Sequence, residues 1–412
     1  MALEAASTIP LDGPTPEARR TLAAAGLNHA LHDGYTDLIY ILLPVWQAEF
    51  GLGYAALALL RTLYSGVMAL LQIPSTRLAQ RFGTRSILLA GTLLSALGYA
   101  LAGASGGLLG LCIALALGGA GSSTQHPLAS AIVSRAYGSA ARGPLGTYNF
   151  AGDLGKATVP LLVGFLLTAV SWRSALWIVA GLGLAVAAAL ALLLPGRGLT
   201  ADTVASGTAA REPDPAARIS GRKSAASGFP LLVAIGMLDN AARPAFLLYL
   251  PFLLKDKGAA LTTVGLALSL VFVGGALGKA AFGWLGERLG VARTVVITEV
   301  ATALGIVGVV MLPLVPALVL LPLLGAMLNG TSSVLYGTVP ELAPGGRVER
   351  AFGLFYTCTL GASALAMPLL YGPLGDLVGA RWAALASAAT ALAAVPLMLA
   401  LAPRLAIARQ AA

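Results

Sequence analysis

The feature that most constrains this chain is the repetition of apolar runs long enough to cross a bilayer. A hydrocarbon core of about 30 Å needs roughly 20 helical residues, and such runs recur along almost all of the 412 residues. Twelve can be counted, at 24–48, 54–77, 86–104, 107–135, 143–170, 173–195, 229–254, 261–284, 292–312, 315–340, 349–375 and 380–402. Hydrophobic residues make up 58% of the chain and charged ones only 10%, too few charges to coat a water-soluble fold of this length. Backbone groups in lipid must find partners within their own segment, and the runs are too long and too evenly apolar for barrel strands. The expectation is an all-α polytopic membrane protein with twelve transmembrane helices.

Loop charge sets the orientation. With the N-terminus in the cytoplasm, eighteen Lys and Arg fall on the cytoplasmic side, against Arg173, Lys255, Lys257 and Arg381 on the other. That bias is the positive-inside signature. The net charge of +9 is then a topology signal, which removes the reason to read it as nucleic-acid binding. Both termini are expected in the cytoplasm, in a cell inner membrane, with the chain acting as a monomer. Residues 1–23 are polar and lack the apolar stretch of a cleaved signal peptide, so the first span reads as an uncleaved anchor. Cys112 and Cys358 lie within apolar spans with no metal or disulfide spacing, and read as packing residues.

The largest shift in composition is "GRGLTADTVASGTAAREPDPAARISGRKSAASG", residues 196–228. It reads as a cytoplasmic linker between a six-helix bundle at 24–195 and a second at 229–402, followed by a cytoplasmic tail at 403–412. The bundles share landmarks. Pro44 and Gly83 recur as Pro251 and Gly290 at an offset of 207, and Arg142, Pro160, Gly164 and Arg173 recur as Arg350, Pro368, Gly372 and Arg381 at an offset of 208. A near-constant offset across six landmarks predicts two pseudo-symmetric halves.

Between the eighth and ninth spans stands "GWLGERLGVAR" with Gly283, Glu287, Arg288 and Gly290, and between the second and third "TRLAQRFGTR" with Arg81, Gly83 and Arg85. The first resembles the G-x-x-x-D-R-x-G loop signature of the major facilitator superfamily with Glu287 in place of Asp. The second carries Thr76 and Gln80 where that signature has Gly and Asp. The resemblance implies the twelve-helix facilitator fold, with these loops latching the halves on the cytoplasmic side through close glycine contacts and a carboxylate–arginine pair. A narrower resemblance rests on "LNHALHDGYTDLIYILLPVWQAEFGL", "GGAGSSTQHPLASAI" and "GTYNFAGDLGKATVPLL", which together are similar to the fosmidomycin-resistance group of facilitators. It implies drug efflux by proton antiport.

The apolar spans carry ionisable groups, and these are costly at membrane depth unless they face a wet path, a substrate or one another. On a helix turning 100° per residue, His29, His32, Asp33, Thr36 and Tyr40 share an arc of about 100°, with Asp37 at its edge. Arg61, His126, Asn149, Asp153, Lys156, Asp239, Asn240, Arg243, Lys279 and Glu299 are also set within spans. Arg61 and Arg243 are the candidate anion holders, because a guanidinium fork matches a carboxylate or phosphonate, and Tyr40, Asn149 and Tyr336 are candidates for added hydrogen bonds. Asp33, Asp37, Asp153, His29, His32 and His126 are candidate proton carriers. Lys156, Asp239, Asn240 and Lys279 read as a charge network, in which Asp153–Lys156 and Asp239–Arg243 are spaced to pair locally. Lys279 and Glu299 lie toward span ends, where they can snorkel.

These residues predict a proton-coupled secondary transporter of a small anionic organic compound, working by alternating access. The subgroup resemblance points to export of a phosphonate-type drug or metabolite. Proton-coupled uptake of a carboxylate or phosphonate stays open, as does export of a divalent metal on His29, His32, Asp33 and His126. An intramembrane enzyme using a His–Asp pair is the alternative from another class. No phosphate-binding loop or nucleophile motif supports it, and no cofactor is expected.

Overall fold

The computed structural model describes residues 14–194 and 218–410. Most of the linker expected at 196–228 therefore lies outside the described residues, as do residues 1–13 of the expected N-terminal segment and the last two of the tail. The secondary structure of the described residues is entirely helical. The N-terminal half comprises α1 (Pro16–Phe50), α2 (Tyr54–Phe82), α3 (Thr84–Ala104), α4 (Leu108–Ser122), α5 (Gln125–Tyr137), α6 (Arg142–Ala169) and α7 (Trp172–Leu193). The C-terminal half comprises α8 (Arg218–Asp256), α9 (Leu261–Leu289), α10 (Val291–Met311), α11 (Leu314–Thr338), α12 (Val348–Ala366) and α13 (Gly372–Gln410).

Among the described residues, ten helical stretches are long and apolar enough to cross a membrane. The last of these, Arg350–Ala406, holds two crossings, because Gly379 leaves the helical region at φ 82° inside α13. Adding α1, whose charges keep it out of that group, gives the twelve expected crossings. α4 and α5 form a single crossing broken at Ser123 and Thr124. Large apolar side chains such as Leu192 and Leu377 are more than four-fifths exposed, an arrangement suited to lipid rather than water.

Local chemistry explains the ends. Pro16 opens α1 behind Thr15, whose Oγ1 accepts a 3.1 Å hydrogen bond from Ala18 N and so satisfies a free first-turn donor. The tight loops after α2 and α9 turn on Gly83 and Gly290 at φ 86° and 83°, a region that favours glycine. The two loops have the same geometry, and the helices around them match in length, 29 and 21 residues in each half. Helix also extends beyond the expected spans: α1 reaches back to Pro16, α8 to Arg218 within the expected linker, and α13 runs through Pro403 into the expected tail.

The halves meet mainly along α6 and α9 and along α2 against the α12–α13 region. Ser269 Oγ donates to the Ala157 carbonyl at 2.6 Å, and Asp376 accepts from Tyr54 N at 2.5 Å and Ala55 N at 3.1 Å. Lys279 Nζ reaches Asp153 Oδ1 at 2.6 Å. These contacts between the halves lie from the middle of the bundle to the end away from the chain termini. That far end is closed.

Candidate functional site

A cavity of about 220 Å³ lies between the halves. α1 is the helix that builds its polar wall. Asp33, Thr36, Asp37 and Tyr40 line it from one stripe, as the helical arc predicts, and Asp33, Asp37 and Tyr40 are each at most 5% exposed. α2 adds Arg61, Thr62, Ser65 and Met68, α5 adds His126, and α6 adds Asp153 and Lys156. From the other half come Asn240, Arg243, Pro244 and Leu247 of α8, Phe272 and Gly275 of α9, Asn329 of α11, and Leu360, Ser363 and Met367.

Asp33 is the centre of the charged wall. Its Oδ2 lies 3.2 Å from both His29 Nε2 and Lys156 Nζ, and its Oδ1 3.6 Å from His126 Nε2. The His29 ring is held from behind, with Nδ1 2.9 Å from the Tyr148 carbonyl and the Tyr148 ring centroid 4.2 Å away. Tyr148 in turn accepts from Gln125 Nε2 at 2.7 Å. α6 comes this close because it carries glycine where it passes α1. A Cβ on Gly152 would fall 2.5 Å from His29 Nε2 and 2.7 Å from Asp33 Oδ2, and one on Gly155 would collide with the Ala30 carbonyl.

Arg61 sits one helix turn along. Its Nη2 is 3.5 Å from Asp37 Oδ1, and its guanidinium lies 4.9 Å from the Tyr40 ring centroid. Arg61 Nε and Nη1 are buried without a hydrogen-bond partner in the protein. A buried guanidinium with unused donors is expensive unless something else accepts from them. Across the cavity, Arg243 Nη1 donates to Asn329 Oδ1 at 2.9 Å. The two arginines of the sequence reading thus face one cavity from opposite halves.

Other expected residues are placed differently. Asn149 is exposed and does not line the cavity. Its neighbour Tyr148 is the buried one, an error of one residue that amounts to 100° of helix rotation. Tyr336 is outside the cavity lining and stacks on Tyr356 at 4.8 Å and against Phe355 at 5.4 Å. His32 points into the N-terminal half, 2.8 Å from Ser122 Oγ and 3.3 Å from Thr92 Oγ1, where it ties α1 to α3 and α4. Lys156 pairs with Asp33 rather than Asp153, and Asp153 pairs across the halves with Lys279. Neither Lys279 nor Glu299 snorkels: Glu299 is 2% exposed, in a buried acidic contact with Asp239. Among the described residues no ion pair joins Asp239 to Arg243. The missed residues Tyr148, Gln125 and Asn329 had one usable signal, an amide or phenol inside an otherwise apolar helix.

Among the described residues, the arginines of the two expected latch loops make contacts within their own halves. Arg85 Nη2 donates to the Ala191 carbonyl of its own half at 2.6 Å, Arg81 lies over Phe82, and Arg288 over Trp284. Among the described residues neither Glu287 nor Arg288 makes an ion pair across the halves. Gly283 lies inside α9, and the turn is made by Gly290. A charged link stands instead at the far end of the N-terminal half, where Arg173 Nη1 meets Glu49 Oε1 at 2.7 Å and holds that carboxyl below its usual range.

Among the described residues one metal-like grouping is found. Donor atoms of His29, Asp33 and His126 lie within 4.8 Å of one another. Lys156 already occupies the open side of Asp33 with a positive charge, and His29 Nδ1 is engaged by a carbonyl, so the set does not fit a divalent ion well.

Comparison with known proteins gives a consistent result. The family model described as Major Facilitator Superfamily matches residues 26–238 and 229–411. Monocarboxylate transporter 13 of Rattus norvegicus is 27% identical over 311 residues, covering 73% of this chain and 69% of that one. Among solved structures, a bacterial homolog of the human lysosomal transporter Spinster, inward-facing and unoccupied, superposes with a TM-score of 0.73 at 14% identity, covering 97% of this chain and 98% of that one. The nucleoside transporter NupG gives 0.75 at 13% identity, covering 93% and 99%. A POT family transporter in complex with 5-aminolevulinic acid gives 0.74 at 14% identity, covering 94% and 96%.

Proposed function

The chain belongs to the Major Facilitator Superfamily and is a secondary transporter of that type rather than an enzyme, and from that premise we propose that it carries a small organic anion, a carboxylate or phosphonate, coupled to protons. The observation that carries the reading is Arg61, buried on the cavity wall with two guanidinium nitrogens unpartnered and Arg243 facing the same space from the other half. An anion with two oxygens suits such a pair of arginines, one on each side of the cavity. The cavity volume limits the cargo to a small molecule. Similarity to a monocarboxylate transporter favours a carboxylate, whereas the helix 1, 4 and 5 motifs favour a phosphonate and export.

Proton coupling rests on Asp33 with His29, His126 and Lys156, since an intramembrane carboxyl among titratable neighbours is the usual chemistry of a proton relay. Asp37 and Asp153 are each held by a cation, Arg61 and Lys279. With cytoplasmic termini in an inner membrane, the closed far end is the outer one and the conformation is inward-facing. Alternating access then requires the α6–α9 and Asp376 contacts to part while the end bearing the termini closes.

The test is transport into proteoliposomes under an imposed pH gradient, with lactate, a fosmidomycin-like phosphonate and a divalent metal as separate cargoes. Gradient-driven movement of an organic anion, with apparent affinity much weakened in Arg61→Ala and Arg243→Ala, is the expected result. Metal movement, or anion movement indifferent to both substitutions, overturns the reading.

A further inference from the structure

His29 is oriented in a way that locates the proton. Its Nδ1 faces the carbonyl oxygen of Tyr148 at 2.9 Å. A backbone carbonyl can only accept, so Nδ1 carries a hydrogen whatever the charge of the ring. The other nitrogen, Nε2, lies 3.2 Å from Asp33 Oδ2. An imidazole already protonated at Nδ1 presents a bare lone pair at Nε2, and a carboxylate oxygen presents another. The two repel unless a hydrogen lies between them. His29 and Asp33 are each 5% exposed, so water screens that repulsion only weakly.

From this we infer that the proton carried by this protein is held between His29 Nε2 and Asp33 Oδ2, with the Tyr148 carbonyl as the positioning group that makes Nε2 the exchanging nitrogen. The inference rests on the proposed transport function and narrows six candidate carriers to one pair. The remaining groups around the pair have other tasks. Lys156 from α6 shares Asp33 Oδ2 at 3.2 Å, and His126 from α5 approaches Oδ1 at 3.6 Å with its ring 5.2 Å from that of His29. Asp37 lies one turn along α1, with Arg61 of α2 and Arg243 of α8 acting on it. Gly152 is what lets α6 lie against the pair without a side chain in the way.

Release is a simple step. The Nε2–H bond breaks, its electron pair stays on Nε2, and the proton passes to water in the cavity. Asp33 then has Lys156 as its adjacent fixed cation, and the set His29, Asp33 and Lys156 falls from one net positive charge to none. Proton and anion therefore favour the same state of the cavity, and by linkage each strengthens the binding of the other. The coupling is co-transport, proton with anion.

The chain has three histidines, so nitrogen-15 histidine labelling of the full-length protein in nanodiscs gives three imidazoles, assigned by His29→Gln, His32→Gln and His126→Gln. The expected result is that His29, when neutral, is the Nδ1–H tautomer, and that its Nε2 signal moves in Asp33→Asn and Gly152→Ala but not in His32→Gln. A neutral His29 protonated at Nε2, or signals unmoved in Asp33→Asn, overturns the assignment. Anion binding is read separately, with a pH indicator in weak buffer while lactate or methylphosphonate is added. Uptake of about one proton per anion bound, absent in Asp33→Asn, supports co-transport, and proton release on binding overturns it. If neither anion binds, the proposed cargo fails, while the tautomer measurement still decides where the proton sits.

Discussion

The two halves share one backbone plan and face one cavity with different chemistry. The N-terminal wall is crowded with charge, namely Asp33, Asp37, Arg61, Asp153 and Lys156 with His126 at its edge. The C-terminal wall offers one cation, Arg243, beside Asn240 and Asn329, and is otherwise made largely of Leu247, Phe272, Leu360 and Met367. Equivalent landmarks outside the cavity diverge as well. Arg173 pairs with Glu49, whereas Arg381, its counterpart at an offset of 208, rests on the sulfur of Met311. The start of α2 receives Asp376 from the opposite half, whereas the start of α9, at Leu261 and Thr262, lies against Gly164. A duplicated scaffold tolerates this because helix packing depends on small residues at crossings, which both halves keep, while charge placement is free to differ. Charge has gathered on the N-terminal wall of the cavity, and the other wall is largely apolar with a single cation, Arg243, among its described residues.

The strongest way to break that comparison is to remove the charges. Arg61→Ala and Arg243→Ala each take away charged hydrogen bonds worth about 1.5–3 kcal/mol, which corresponds to a loss of roughly ten- to a hundredfold in apparent affinity for lactate or a phosphonate, read from uptake at varied concentration. Asp33→Asn should abolish gradient-driven accumulation yet leave exchange of labelled for unlabelled anion running. Phe272→Ala, on the apolar wall, is expected to change which anion is preferred without touching pH dependence. A pH effect there would mean that the halves do not divide the work.

Packing should behave alike in the two halves. Gly155→Ala meets the Ala30 carbonyl and Gly278→Ala the Ala326 carbonyl, and overpacking of this kind costs about 1–3 kcal/mol. Both are expected to lower the melting temperature by similar amounts, measured by thermal unfolding in detergent.

Smaller effects sharpen the contrast at the far end. Asp376 supplies α2 with the cap that Gly53, having no side chain, cannot. Losing a cap costs about 1 kcal/mol, so Asp376→Ala should shift spin-label distances across that end toward longer values. The smallest effect belongs to Glu49 and Arg173. Arg173 lowers the Glu49 carboxyl's affinity for its proton, so the stabilisation is present above the unfolded carboxylate range and is lost as pH falls through the lowered one. A melting curve of Arg173→Ala should match wild type at acid pH and lie slightly below it near neutrality.

Much of the fold was legible without coordinates, because span length and an offset of 207–208 residues are one-dimensional properties. The α1 stripe was legible for the same reason: helical periodicity alone puts Asp33, Thr36, Asp37 and Tyr40 on one side. Legibility failed where the answer depended on rotation or on a neighbour. Asn149 and Tyr148 differ by one residue, and only the contact of α6 with α1 decides which turns inward. His32 shares the arc with Asp33 but lies at its far edge, where α3 and α4 claim it. Local spacing suggested Asp153 with Lys156, yet each found a stronger partner on another helix.

The sequence by itself determined that the chain crosses a membrane as a duplicated helical bundle with charge buried in its first half, since these follow from how apolar length and period meet lipid. Tertiary structure alone decided which charge meets which. Pairs such as Lys156 with Asp33 and Lys279 with Asp153 join residues 123 and 126 positions apart, and their distances are set by the crossing of whole helices, held close by glycines such as Gly152 and Gly155. In a medium that does not screen charge, a few ångströms of helix placement separate a proton site from a structural ion pair.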